Sequence, residues 1–377
     1  MRLAFALYKY FPYGGLARDF MRIANVCLKK GYTVDVYVME WHGDLIAGCD
    51  THVLNCSGWT NHAKVNHFHR QLSNQLKNEK YDVVIGFNKI SNLDVYYAAD
   101  PCYADKFAEK NFLHKLNPRY RFYAGVEESV FGIESKTVCL MISDIQAELF
   151  KKYYQIPNDH LVMLPPGIDP NRRRPIDADE KRLRFRHELL LEEQDLLVLM
   201  VGTGFKTKGV DRAMMALAEL PKELLGRTKL MVVGEDDIAA YKRLANQIGV
   251  TENVRFMGGR PDVPAFLLAA DLLLHPARKD NTGTVILEAM VAGLPMLVSE
   301  VCGYAKHVVN SNAGKVISAP FSQKKLNQLL VEMLSSNDKL KWSKSGLAYA
   351  DTEDLYSMPE KAVAAIEKVA RDKKNVD

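Results

Sequence analysis

The 377-residue sequence has no CxxC pair, and its six cysteines (Cys27, Cys49, Cys56, Cys102, Cys139 and Cys302) are scattered. A chain of this length is far larger than a disulfide-stapled domain, so reduced thiols in a cytosolic protein are expected. No apolar run is long enough to span a bilayer. The first apolar stretch, residues 3–8, is shorter than a signal peptide's core plus cleavage region and reads as a β-strand. Nor is there a strong excess of one charge: 50 Lys and Arg face 46 Asp and Glu, a formal +4. That balance is too mild to imply nucleic acid, and any basic partner surface must be local. The GxGxxG fingerprint is missing, which disfavours an NAD dehydrogenase. There is no short-period repeat and no low-complexity segment.

What is present is an alternation of short buried strands and amphipathic helices, in a chain long enough for two cores. Residues 3–8 predict a first strand, followed by a loop ending in Gly14-Gly15 and by apolar residues at helical spacing over 16–30, with Gly31 as a stop. Strands are predicted at 33–38, 83–87 and 138–142, with Ser143 capping the helix that follows. The pattern breaks at Leu164-Pro165-Pro166-Gly167-Ile168-Asp169, and the polar stretch 170–186 reads as a linker. The alternation then restarts. Strands are expected at 196–201, 230–233, 254–257, 272–275 and 296–299, and helices at 210–220, 265–270 and 285–292. This implies α/β domains with parallel sheets and helices on both faces. The expected boundaries are 1–168, 169–355 and a C-terminal helix, 356–377, returning to the first domain. Ligands of such sheets bind at the carboxyl edges of the strands, here in a cleft between the two domains.

Three segments carry chemistry. In His275-Pro276-Ala277-Arg278-Lys279-Asp280-Asn281-Thr282-Gly283-Thr284-Val285-Ile286-Leu287-Glu288 a strand gives way to a loop with an acid and a glycine, then to a helix with an acid in its early turns. Carboxylates such as Asp280 and Glu288 suit vicinal hydroxyls. The amides that open a helix, here around Gly283, Thr284 and Val285, donate to hydroxyl or phosphate oxygens. In Val201-Gly202-Thr203-Gly204-Phe205-Lys206-Thr207-Lys208-Gly209 the glycines allow close backbone approach, and Lys206 and Lys208 bring positive charge to a diphosphate. In Tyr8-Lys9-Tyr10-Phe11-Pro12-Tyr13-Gly14-Gly15-Leu16-Ala17-Arg18-Asp19 the paired glycines at a strand-to-helix turn let amides approach a phosphate or a sugar. A plain tight turn would give the same pattern.

The first of these segments resembles the Glu-x7-Glu motif of retaining family-four glycosyltransferases. Their fold is GT-B, two facing Rossmann-like domains. The resemblance implies that Glu288 binds the ribose hydroxyls of the donor. Asp280, one methylene shorter than the family's Glu, would reach the outer hydroxyls of the donor sugar. The second segment is similar to the family's Gly-Arg-x4-Lys-Gly phosphate loop. Lys208-Gly209 match; Thr203 replaces the Arg, and Lys206 or Arg172 would supply the missing charge, with Gly202 at the loop's start. The glycine loop of the first domain is identified with the acceptor side, where Gly14, Gly15 and Asp19 are the candidates.

Within the family, the sequence is similar to the lipopolysaccharide-core transferases that place the first outer-core hexose on an inner-core heptose. Leu7-Tyr8-Lys9-Tyr10-Phe11-Pro12, Gly86-Phe87-Asn88-Lys89 and Leu93-Asp94-Val95-Tyr96-Tyr97-Ala98-Ala99-Asp100 carry that likeness. It implies a UDP-hexose donor, glucose by expectation, a heptose acceptor, and front-face transfer with retention. Asp280, Lys208, Asp19 and Asp100 are the catalytic candidates; Asp100 would contact acceptor or donor sugar, or merely cap a helix. Asp280 leaves room for UDP-N-acetylhexosamine as donor.

Residues 103–131 interleave cations and rings, including Lys106, Phe107, Lys110, Arg119, Tyr120, Arg121 and Tyr123. That composition suits an interfacial patch on the anionic inner leaflet, and equally a solvated helix packing its rings inward. A peripheral location on the cytoplasmic face of the membrane is therefore expected. No metal is expected: His62, His67 and His69 do not share a helix face, and Asp177-Ala178-Asp179 reads as solvated surface. Two readings of other classes remain open, a nucleotide-sugar epimerase and an inactive sugar-nucleotide sensor at the membrane.

Overall fold

The computed structural model describes residues 1–12, 14–108 and 112–375. Tyr13 of the glycine loop, Lys110 of the basic–aromatic segment and residues 376–377 lie outside the described residues. The chain divides into two compact units, Met1–Gly167 with Tyr356–Asp377, and Ile168–Leu355.

The first unit is built on seven parallel strands in the order β3-β2-β1-β4-β5-β6-β7. They are β1 (Arg2–Tyr10), β2 (Thr33–Trp41), β3 (Cys49–Val53), β4 (Val83–Gly86), β5 (Val95–Ala98), β6 (Val138–Met141) and β7 (Leu161–Met163). Leu3 to Leu7 are wholly buried, as a central strand covered on both faces requires. The helix Gly15–Lys29 turns Ala17, Phe20, Ile23, Ala24 and Cys27 to the core at helical spacing. The final helix, Met358–Lys374, lays Met358, Ala362, Val363, Ile366 and Ala370 into the same core. Its polar side adds ion pairs, Lys30 to Glu367 at 2.5 Å and Lys373 to Asp94 at 2.8 Å. Ser143 accepts from the Gln146 amide and caps the helix Asp144–Tyr153.

The second unit has six parallel strands in the order β10-β9-β8-β11-β12-β13. They are β8 (Leu196–Val201), β9 (Thr228–Val233), β10 (Val254–Gly258), β11 (Leu272–His275), β12 (Met296–Ser299) and β13 (Gly314–Ile317). In each sheet the strand order reverses once, between β1 and β4 and between β8 and β11. Loops leaving the carboxyl ends of two such strands diverge to opposite faces and open a crevice where ligands bind.

The stretch 170–186 differs from its reading as a linker. It contains the helix Ala178–Glu188, and its charges are structural. Arg182 donates to the Leu268, Ala269 and Ala270 carbonyls at 2.9, 2.7 and 2.6 Å and to Asp271 at 2.5 Å. Arg186, itself buried, donates to Ala269 O and Asp271. Polar residues here satisfy the orphan carbonyls that end the helix Val263–Ala269.

Candidate donor site at the second switch point

The reversal between β8 and β11 brings together loops far apart in sequence. From β8 comes a loop with Gly202 and Gly204 at positive φ, then a one-turn helix, Phe205–Lys208, closed by Gly209 at φ 79°. Asp236 anchors this turn by accepting from the Phe205 amide at 2.6 Å. Gly209 is there because nothing larger fits: a Cβ would lie 2.2 Å from the Pro276 carbonyl oxygen. Gly209→Ala combines that clash with a left-handed backbone, and is expected to cost about 2 kcal/mol of stability. Urea unfolding checks it; an unchanged midpoint would contradict it.

From β11 comes His275, buried at the strand's end, then Asp280. Lys208 Nζ donates to Asp280 Oδ2 at 2.6 Å, across 72 residues of sequence. His275 Nε2 meets the same oxygen at 2.7 Å. Burial alone would raise the Asp280 carboxyl. The hydrogen bond and charge of His275, with the Lys208 ammonium, outweigh burial and hold it well below the usual carboxylate range. Both partners take Oδ2, and Oδ1 accepts from no described residue. The Asp280 backbone is pinned as well: it bridges to Cys302, and its carbonyl accepts from Gly303 N at 3.3 Å. Tyr304 N donates to Thr282 O at 2.7 Å.

Gly283, at φ 77°, starts the helix Thr284–Ala292, whose residues Val285 to Ala292 are all buried. The opening amides, Thr284 and Val285, have no helical carbonyl ahead of them. Glu288 lies one turn in, buried, with Arg172 Nε 3.7 Å from its Oε1. Arg172 arrives on the 3-10 turn Pro170–Arg172, and neighbouring Arg174 is tied to the end of the same helix through Val291 O and Ala292 O.

Lys206 lies apart from this pair. Its ammonium reaches Asp211 Oδ2 at 2.7 Å, where Arg278 also binds with both terminal nitrogens at 2.7 and 2.8 Å. Its side chain is 70% exposed against 23% for Lys208. Burial works to raise Asp211, but the Arg278 and Lys206 hydrogen bonds leave it below its ordinary value. Each of the three cations expected at the phosphates is thus held by an acid of its own domain.

Sequence reasoning passed over His275 and Cys302. The only signal for His275 was a polar residue ending an otherwise apolar strand. His275, Asp280 and Cys302 also bring potential ligand atoms within 4.8 Å of one another, a grouping shared, among the described residues, by Asp35, Asp50 and His52. At the first of these, Lys208 already occupies the Asp280 oxygen.

In the first unit, Gly14 takes extended geometry as the cap of the helix Gly15–Lys29. A Cβ there would strike the Phe11 ring at 2.7 Å, whereas one at Gly15 would meet nothing. Asp19 bonds Arg22 and, at 2.8 Å, the Tyr97 hydroxyl. Burial raises its carboxyl in spite of both. Asp100 caps no helix: Cys102 precedes the short helix Tyr103–Lys106. Instead its Oδ2 accepts from Asn88 at 3.3 Å and Tyr96 at 3.2 Å.

The model of the family described as Glycosyl transferases group 1 matches residues 181–346. Along 368 residues the chain is 45% identical to the lipopolysaccharide glucosyltransferase WaaG of Escherichia coli (strain K12), covering 97% of this chain and 98% of that one. A crystal structure of WaaG, a glycosyltransferase involved in lipopolysaccharide biosynthesis, superimposes with TM-score 0.93 at 44% identity, over 97% of this chain and 99% of that one. Anabaena Alr3699/HepE in complex with UDP-glucose shares the fold alone, with TM-score 0.76 at 16% identity over 98% of this chain and all of the other.

Proposed function

Because the chain belongs to the group 1 glycosyl transferases, we propose that it moves glucose from UDP-glucose to an inner-core heptose of lipopolysaccharide, with retention and without a metal. The chain is a hexosyltransferase of lipopolysaccharide core synthesis that uses a nucleotide-sugar donor. The observation that carries the proposed glucose transfer is the convergence of Lys208 and His275 on Asp280 at the switch point.

The chemistry follows from charge. Lys208 pairs with Asp280, and Arg172 lies against Glu288. A diphosphate competes for both cations, and sugar and ribose hydroxyls take up the acids so released. Glu288 would accept from the ribose, and Asp280 from the outer hydroxyls of the hexose. The Thr284 and Val285 amides would donate to phosphate oxygens, aided by the positive end of their helix. The close backbone at Gly202 and Gly283 admits the ligand. Lys206, paired to Asp211, would reach the phosphates only by leaving that partner. As the glycosidic bond breaks, negative charge grows on the departing diphosphate, where Lys208 and Arg172 stabilise it. The acceptor hydroxyl attacks from the same face and passes its proton to that leaving group. Gly14, Gly15, Asp19 and Asp100 are assigned to the acceptor side.

A donor panel tests this. UDP-glucose, UDP-galactose and UDP-N-acetylglucosamine are offered with lipopolysaccharide truncated at the heptoses, and the product linkage is read by NMR. UDP-glucose should be preferred and the anomeric configuration kept. Preference for the N-acetylhexosamine would assign the space left by the short Asp280 to an acetamido group. Inversion would overturn the mechanism.

The basic–aromatic segment is proposed to hold the protein to the inner leaflet. No helix among the described residues is long and apolar enough to cross a membrane. Leu113 and Leu116 stand 70% and 59% exposed beside Lys115 and Arg121, an arrangement that suits headgroups and the acyl boundary. The protein should co-sediment with vesicles containing acidic lipid and lose that binding as salt rises. Binding indifferent to acidic lipid would contradict the proposal.

A further inference from the structure

Glu127 is a buried acid with no part in the donor chemistry. Its side chain is 0% exposed, and it lies on the helix Pro118–Phe131, toward the end of the basic–aromatic segment. A carboxylate is kept from water only where donors meet its oxygens. Lys89, from the stretch after β4, pairs with Oε2, which also accepts from the Tyr103 amide at 2.7 Å. Oε1 accepts from the Ala104 amide at 2.8 Å and the Tyr154 hydroxyl at 2.7 Å, and the Cys102 thiol lies 3.7 Å from it.

What these bonds hold is one turn of backbone. Tyr103 and Ala104 open the short helix Tyr103–Lys106, and Cys102 before it offers no side-chain cap. Glu127 supplies, from another helix, the acceptor that an N-cap residue would give to the orphan amides. Lys89 Nζ holds the other end of the turn by donating to the Pro101 carbonyl at 2.7 Å. The Cys102 amide donates to Gln146 Oε1 at 2.7 Å. Each residue from Pro101 to Ala104 thus has a backbone group held by a side chain from outside the turn, and two of the three side chains are Glu127 and its partner Lys89.

Asp100 directly precedes this turn, and its own bonds are long: 3.3 Å from Asn88 and 3.2 Å from Tyr96. Its place is therefore set mainly by the chain that follows it. Stability alone does not call for a charge at Glu127, because a buried ion pair is often no more stabilising than apolar residues of similar volume. An ionic hub adds direction instead, since each carboxylate oxygen is bonded to particular amides. We propose that Glu127 is a positioning residue of the transfer reaction: with Lys89 it fixes the turn 101–104, and through that turn it sets Asp100 in the geometry the acceptor needs. The proposal rests on the transferase reading above and on Asp100 serving the acceptor.

The experiment uses water-soluble, de-acylated core oligosaccharide ending at the heptoses, at a temperature where circular dichroism shows each variant folded. Glu127→Gln keeps the shape of the side chain. Its amide nitrogen must face either Lys89 and the Tyr103 amide or the Ala104 amide and Tyr154, donor against donor. The acceptor KM should rise about 10-fold, as for loss of a charge-assisted hydrogen bond. Affinity for UDP, read by calorimetry, should stay within about twofold. Should Glu127→Gln not fold, Glu127→Asp carries the test: it keeps the charge that balances Lys89, falls one methylene short of the amides, and should raise the acceptor KM likewise. Tyr154→Phe is the control for stability, because it removes a bond to the same carboxylate without touching the turn. It should lower the urea midpoint and leave the acceptor KM unchanged. An acceptor KM within about twofold of the unmutated protein in the folded Glu127 variants, or one that rises equally in Tyr154→Phe, would reduce Glu127 to a structural acid and overturn the proposal. Absence of any UDP-sugar turnover by the unmutated protein would overturn the transferase reading itself, and the positioning role with it.

Discussion

Lys208→Ala should lower turnover of UDP-glucose by about 100-fold or more, the scale seen when one preorganised electrostatic donor is removed from developing charge. The lysine is placed for this by its backbone. The one-turn helix that bears it is bracketed by Gly204 and Gly209, both left-handed. Its side chain is mostly shielded, at 23% exposure, so its charge acts in a medium poorer than water. Lys208→Arg should rescue poorly, because a planar guanidinium does not replace a compact ammonium at the Asp280 oxygen. Steady-state kinetics with saturating acceptor would show it. Near-normal kcat in Lys208→Ala would remove the diphosphate clamp from the account.

Asp280→Asn is expected to be as damaging, for a different reason. The amide keeps one acceptor but loses the charge that orders Lys208 and His275. Turnover should again fall about 100-fold, with the affinity for UDP less affected than that for UDP-glucose, since Asp280 is assigned to the sugar. Stability should fall too, by about 2–3 kcal/mol at neutral pH, since a mostly buried pair loses one member. That deficit depends on pH in a defined direction. The folded carboxyl lies below its usual value. The unfolded chain therefore takes up the proton first as pH falls below about 4. The advantage of Asp280 over Asn is complete at pH 5 and above, and drains away below about pH 4. Urea unfolding of both proteins at pH 7, 5 and 3 measures it. A gap already closing at pH 6 would mean that the carboxyl is not held low.

Much of this architecture was legible in the amino-acid order because buried parallel strands are near-continuous apolar runs. The runs at 3–8, 196–201 and 272–275 each became a strand within two residues of expectation. Short edge strands such as β3, with exposed Asp50 and Val53, gave no such run and were not anticipated. The stretch 170–186 misled for a physical reason. Arginines that bond orphan helix carbonyls look, in sequence, like solvated ones. At the site, the motif spacing marked Asp280, Glu288 and Lys208 as candidates. It could not tell that Asp280 and Lys208 touch, since a 72-residue separation closes only through the strand order. The Lys208-Gly209 match set Lys208 apart from Lys206, but did not reveal the partner that Lys206 takes, Asp211 on the following helix, which it shares with Arg278 of the other loop. His275 was invisible as a partner for the same reason: its role depends on a neighbour across the turn.

The most direct measurement is calorimetric titration of the purified protein with UDP and with UDP-glucose, repeated on Lys208→Ala. Binding of both, weakened at least about 10-fold by the substitution, is the predicted result, in line with loss of a charge-assisted contact. Equal affinities in the two proteins, or no binding in either, would contradict a diphosphate site built on Lys208.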